Sequence, residues 1–161
     1  MIKLSKMTDY GVVIMSEMGH IEGRVMNAPD LSLYTGLKVP TAAKILRLLA
    51  KSGLLTSIRG AHGGYRLDRS PNDISIAEIV RVLEGPVAVT SCVDDSHEDC
   101  SVEQCCPMRG GWETINRAIN TALEEVTLAD MSHGTSKPVP APLSKRANSK
   151  TASNASLSVT E

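Results

Sequence analysis

The sequence predicts a mainly α-helical chain with one small β-hairpin, on three observations. Apolar residues recur at helical spacing through most of the first 84 residues, a glycine-rich stretch over 60–64 separates two short strand-like runs, and a long apolar seam follows a polar interruption. With 161 residues and 42% apolar composition the chain can build one ordinary core with accessories. That core must be aliphatic, because there is no Phe, one Trp (Trp112) and only Tyr10, Tyr34 and Tyr65. So few aromatic rings disfavour binding of single-stranded nucleic acid by base stacking.

The first helix is predicted from about Thr8, read as its cap, to Met18, with Val12, Ile14, Met15 and Met18 near helical spacing and Gly23 as the stop. A short second helix covers roughly Pro29 to Thr35, Gly36 supplies a turn, and a third helix starts near Pro40, a residue tolerated at the first helical positions. Helix, glycine turn, helix is the outline of a helix-turn-helix. In the third helix Ala42, Ile45, Leu46 and Leu49 fall within about 100° of one another, and Lys44, Arg47 and Lys51 gather opposite. One face packs, and the other either stands in solvent or meets DNA.

Leu54 to Arg59 then reads as a strand, Gly60 to Gly64 as a flexible turn and Tyr65 to Asp68 as the returning strand. A hairpin placed directly after a basic helix, with Arg59 and His62 toward its tip, is a wing, so the predicted fold is a winged helix-turn-helix. Ser75-Ile76-Ala77-Glu78 has the capping-box form and opens a fourth helix that ends near Glu84 and Gly85. Beyond the cysteines, Trp112, Ile115, Ile119, Ala122 and Val126 recur at steps of 3, 4, 3 and 4. That is the seam of a helix that packs on another helix, and its length predicts a homodimer, with packing back onto its own domain as the alternative. From Ser132 to Glu161 there are seven Ser, three Pro and four bases, too little apolar surface to offset ordering entropy, so a disordered tail is expected. The predicted divisions are a DNA-binding domain over 1–84, a cysteine loop over 85–111, a dimerisation helix over 112–131 and the tail over 132–161.

A formal net charge of −1 conceals strong segregation. Between Gly36 and Ser70 seven bases (Lys38, Lys44, Arg47, Lys51, Arg59, Arg66 and Arg69) face Asp68 alone. Between Glu84 and Cys106 there are six acids and no Lys or Arg. A basic segment suits phosphate, and an acidic one around cysteines suits a different task. The four cysteines, Cys92, Cys100, Cys105 and Cys106, lie within fifteen residues of polar sequence. No apolar run has the roughly 18–20 residues of a membrane span and the start lacks a signal-peptide apolar region, so the expected location is the cytoplasm. There thiols are kept reduced, and clustered cysteines read as metal ligands or redox sensors before disulfides.

Zinc sites use paired cysteines with two to four residues between them, and only Cys100 and Cys105 have that spacing. Iron-sulfur sites tolerate wider spacing, and a cysteine followed by proline, as in Cys106-Pro107, recurs at their ligands. An iron-sulfur cluster, 2Fe-2S or 4Fe-4S, is therefore the leading expectation, with a structural zinc or a thiol redox switch as the alternative. Adjacent cysteines diverge from the backbone, so one of Cys105 and Cys106 ligates, and three thiolates leave one iron site open, which suits a sensor. No catalytic triad, P-loop or dinucleotide fingerprint is present and His20, His62, His97 and His133 are dispersed, so neither an enzyme nor a small-molecule substrate is expected.

Four stretches, LSKMTDYGVVIM, GLLTSIRGAHGGYRLDR, ISIAEIVRVLEGP and CSVEQCCPMRGGWETIN, resemble the Rrf2 family of winged-helix iron-sulfur transcription regulators, and the likeness spans about Met1 to Met131. The stretches EGPVAVTSC, WETIN and VTLADM look closest to the branch that regulates SUF-system iron-sulfur assembly genes. The resemblance implies a regulator, in the main a repressor, that binds a double-stranded DNA operator. It implies Cys92, Cys100 and Cys106 as cluster ligands, since the family keeps the spacing of the last two, and leaves Cys105 extra. Where one branch places a ligating His, this chain has Arg109, which cannot ligate; where another uses an Asp of the first helix from the second subunit, this chain has Asp9. The resemblance also implies that Arg59 enters a minor groove, which leaves base reading to Thr41, Lys44 and Arg47 with Lys38, Lys51 and His62 beside them.

Overall fold

A computed structural model describes residues 3–21, 23–90, 93 and 106–132. Its elements run α1 (Lys6–Gly19), α2 (Ala28–Thr35), α3 (Val39–Lys51), β1 (Thr56–Ile58), β2 (Gly64–Arg66), a 3-10 turn (Pro71–Asp73), α4 (Ile76–Glu84), α5 (Arg109–Glu125) and α6 (Leu128–Ser132). The predicted mainly helical fold with one antiparallel hairpin is the fold observed.

Local chemistry sets most of these boundaries. Ser5, not Thr8, caps α1: its hydroxyl accepts the Thr8 N–H at 3.2 Å, while Thr8 itself is fully buried. The helix stops at Gly19, one residue beyond the predicted Met18, with His20 as its C-cap, and Gly23, expected as the stop, takes a left-handed conformation in the following loop. Asn27 and Asp30 form a reciprocal capping box at the start of α2, and Gly36 closes that helix at φ 74°. Ser75 and Glu78 form the predicted capping box of α4, with both hydrogen bonds at 3.3 Å.

The core sits where α1, α3 and α4 converge. Ile14, Met15, Ile45, Leu46, Leu49, Ile74, Ile79 and Val80 are all fully enclosed there. Gly11 lets α1 and α4 cross closely, since a Cβ there would fall 2.2 Å from a methyl of Leu83 and force that side chain to move.

The chain beyond α4 departs most from expectation. The apolar seam predicts one helix through Met131, but α5 ends at Glu125 and α6 starts at Leu128. The break is chemical: Thr127 accepts the Asp130 N–H at 3.2 Å, and the Asp130 carboxylate accepts the Thr127 N–H at 2.9 Å. A capping box therefore starts a new helix. Val126 and Leu128 also exchange backbone hydrogen bonds with Ile76 and Ile74 at 2.9 and 2.8 Å, which pins the junction to the start of α4. Ser132, expected in the tail, closes α6; the rest of the predicted tail lies outside the described residues.

Candidate functional site

The turn between α2 and α3 is held by side-chain hydroxyls. The Ser32 hydroxyl donates to the Leu37 carbonyl at 2.5 Å, and the Thr35 hydroxyl donates to Leu31 at 2.7 Å while accepting the Leu37 N–H at 3.3 Å. With the turn fixed, α3 buries Ala42, Ile45, Leu46 and Leu49 completely, the four residues the wheel places together. Lys38, its N-cap, and Lys44, Arg47 and Lys51 are exposed; Thr41 is half-buried. Arg47 is also oriented, since its Nε donates to the Ala43 carbonyl at 3.2 Å.

The hairpin pairs Thr56 with Arg66, Ser57 with Tyr65 and Ile58 with Gly64. Tyr65 is bonded on its other side too: its N–H donates to the Met26 carbonyl at 2.8 Å and its carbonyl accepts the Met26 N–H at 2.9 Å. This third segment, which sequence reasoning missed because a single residue makes it, ties the wing to the chain entering α2. Both glycines at the return of the hairpin are needed at close range. A Cβ on Gly64 would lie 2.6 Å from the Met26 carbonyl oxygen, and one on Gly63 only 2.4 Å from that of Ile58. Arg59, just past β1, and His62, in the turn, are both exposed.

Ion pairing divides the seven bases of this region. Arg66 bonds Asp68, and that hydrogen bond, followed by one from Thr56, holds the Asp68 carboxyl below its ordinary range. Arg69 bonds Glu78 at 2.7 Å, which lowers the carboxyl and raises the guanidinium. Among the described residues, the other five, Lys38, Lys44, Arg47, Lys51 and Arg59, make no ion pair. Two arginines of the basic segment thus serve the fold, and five cations stand on α3 and the wing with their charge uncompensated. Such a surface suits polyphosphate.

Of the predicted cluster ligands, Cys106 and Asp9 are described; Cys92 and Cys100 lie outside the described residues, as do Cys105 and His97, the other side chains of that loop able to take the fourth position in place of Asp9. Cys106 is half-buried with a free thiol, three residues before α5. Asp9 is exposed in the first turn of α1. Among the described residues no three His, Cys, Asp or Glu side chains come together as a metal site. The surroundings of Cys106 nevertheless fit an anionic cluster. No side chain caps α5, and Gly110 and Gly111 have open space where a Cβ would stand. The positive end of the α5 dipole thus begins three residues after Cys106, although the Arg109 N–H itself is bonded to the Cys106 carbonyl at 3.5 Å. Arg109 is engaged with Glu113 at 3.2 Å.

Along α5 itself no residue is fully buried. One face meets the body: Asn120 donates to the Val87 carbonyl at 3.3 Å, Arg81 pairs with Glu124 at 3.6 Å, and Leu123 packs against the core. The predicted seam points elsewhere, with Trp112 39%, Ile115 46% and Val126 37% exposed. The structure therefore does not fold this seam back onto its own domain. No helix among the described residues is long and apolar enough to cross a membrane.

Comparison with known proteins agrees with this architecture. A family model described as Rrf2, iron-dependent transcriptional regulator, matches residues 4–134. CymR (YrzC), the global cysteine regulator of B. subtilis, is similar at 31% identity, with a TM-score of 0.65 over 84% of this chain and 99% of that one. IscR from T. potens is similar at 33% identity, with a TM-score of 0.60 over 83% of this chain and 88% of that one. The oxidised form of S. aureus CymR is similar at 25% identity, with a TM-score of 0.62 over 84% of this chain and the whole of that one.

Proposed function

Because the chain belongs to the Rrf2 family of transcription regulators, we propose that it is a homodimeric repressor of SUF iron-sulfur assembly genes that reports cluster status through a cluster of its own. The DNA-reading part rests on one observation: five cations without ion pairs on α3 and the wing, beside two arginines spent on internal pairs. Two copies joined along α5 would present two such faces to a palindromic operator. In each, Arg59 enters the minor groove, Thr41, Lys44 and Arg47 address base edges in the major groove, and Lys38, Lys51 and His62 contact the backbone.

Cys92, Cys100 and Cys106 would hold the cluster, with Asp9 of the second copy at the remaining iron site. When bound, the cluster supplies a redox-active centre whose oxygen-ligated iron is held more weakly than its thiolate-ligated irons. The open, uncapped start of α5 would offer backbone N–H groups to its sulfurs, and the acidic residues around the cysteines would disfavour its reduced form. The thiol-switch alternative draws support from the adjacent Cys105 and Cys106 and from a relative described in an oxidised form. The protein is proposed to act in the cytoplasm, without catalysis.

Absorption and Mössbauer spectra of protein purified without oxygen test the reading. Brown protein with iron and sulfide is expected; colourless protein containing zinc, or metal-free protein with titrating thiols, overturns it. In Asp9→Ala the apo dimer should persist, with an altered spectrum and faster loss of the cluster to oxygen. An unchanged spectrum and lifetime, with either changed in His97→Ala, would transfer the fourth position to His97.

A further inference from the structure

The outward face of α3 carries a residue that the charge argument leaves unexplained. At 3.6 residues per turn, Pro40 falls within about 40° of Lys44 and about 20° of Arg47 around the helix axis, so it lies inside the cationic stripe. It is exposed, in the first turn. Ala43 follows one turn on, half-buried, about 40° to the side of Arg47 away from Lys44. The first turn of a recognition helix is the part that reaches base edges. A proline there has no N–H to donate, no charge for phosphate and no polar side chain for a base edge. What it offers is a rigid apolar surface that loses no side-chain entropy on contact.

The geometry points to Pro40 and Ala43 as an apolar edge that reads the C5-methyl group of one thymine in the major groove. This inference rests on the DNA-binding reading and adds a base to it. Thymine presents a methyl group in the major groove and the other bases do not, and apolar side chains are what recognise it. Arg47 gives the edge a neighbour. Its Nε is bonded back to the Ala43 carbonyl at 3.2 Å, so its remaining donors start from a fixed position beside Ala43. Arg47 is thus placed to take guanine O6 and N7 next to that thymine. Proline's preference for the start of helices accounts for a proline at this position. It accounts for neither Ala43 on the same edge nor the tethered arginine between the two.

Selection from a randomised duplex library with the full-length protein, followed by replacement of each thymine by deoxyuridine, tests the inference whatever the operator sequence. At one position the replacement should weaken binding roughly fourfold, the factor that burial of a single methyl group carries. In Pro40→Ser that penalty should vanish. In Val39→Ala it should persist, because Val39, although 41% exposed, lies on the side of α3 toward the core stripe. Melting curves accompany each variant, and Ala43→Ser, which keeps the proline of the first turn, replaces Pro40→Ser if the latter does not fold. An enriched duplex indifferent to uracil at every position, or a penalty unchanged in the folded variant, overturns the methyl contact. Failure to enrich any duplex is a different result, which overturns base reading by α3 altogether.

Discussion

The winged-helix body and α5 bury apolar surface very differently, although α6 beyond it returns Leu128 to the core. Over α1 to α4 the core encloses residues from every helix, whereas α5, at 17 residues the longest helix described, buries none completely. The body covers its apolar side chains within one chain, while α5 leaves Trp112, Ile115 and Val126 exposed, a surface that the proposed second copy would cover. If the proposed cluster is held beyond α4, a regulator divided in this way would keep its DNA reader folded with or without it, and loss of the cluster would act through geometry.

The largest expected effect tests that independence directly. Cys92→Ala, Cys100→Ala or Cys106→Ala should each abolish cluster binding, measured as iron per chain, while Cys105→Ala retains it and all four melt as the apo protein does. A cluster lost in Cys105→Ala but kept in Cys106→Ala would reverse the ligand assignment. A large fall in apo melting temperature would show that the body depends on the cysteine segment after all.

Next in size is the seam. A charge at Ile115, which is 46% exposed in the single chain, should cost the body no more than about 0.5 kcal/mol. In a dimer interface the same unpaired charge would cost roughly 3 kcal/mol, about a hundredfold in dissociation constant. Sedimentation of Ile115→Asp reads this; a dimer of undiminished affinity would place the interface on another surface.

Within the body, the division of the bases gives the third test. Arg59→Ala should weaken operator binding by about 1–3 kcal/mol and leave a scrambled duplex less affected. Lys51→Ala should reduce affinity for both duplexes and lower the salt slope by about one. Arg66→Ala, which breaks the pair with Asp68, should leave DNA affinity close to that of the parent. Equal losses on both duplexes for Arg59→Ala would remove Arg59 from the specificity set.

Legibility in the sequence follows the same divide. The four buried positions of α3, the glycine turn at Gly36 and the capping box of α4 are readable because each depends on residues a few positions apart. The Met26 to Tyr65 pairing is not, because it joins one residue to a strand 39 positions away without any local pattern. Thr127 and Asp130 do carry a readable capping signal, but the steps of three and four ending at Val126 mask it by suggesting an unbroken helix. The cap of α1 is misread for a related reason: Ser5 and Thr8 are both capping residues, and only burial shows that Thr8 belongs to the core. For the proposed cluster ligands the sequence supplies spacing, the proline after Cys106 and a family resemblance, and of the three cysteines Cys106 alone lies among the described residues.

The smallest expected effect lies at the boundary between the two regions. Glu84 ends α4, next to Gly85, where the body hands over to the cysteine segment, and its carboxylate accepts the Ser5 N–H at the start of α1. Burial pushes this carboxyl up, but hydrogen bonds from the Ser5 N–H and the Thr8 and Ser5 hydroxyls outweigh it and hold the group below its ordinary range. A carboxyl lowered by folding contributes stability that is full above its unfolded pKa and is lost as pH falls through the folded one. Glu84→Gln should therefore cost the apo protein only about half a kcal/mol near neutrality, because the group is exposed and screened by solvent. Its larger signature is a flatter acid limb in a plot of melting temperature against pH. If the acid limb is unchanged while the cluster is lost faster, Glu84 serves the cysteine segment, and the boundary drawn at the end of α4 moves into the body.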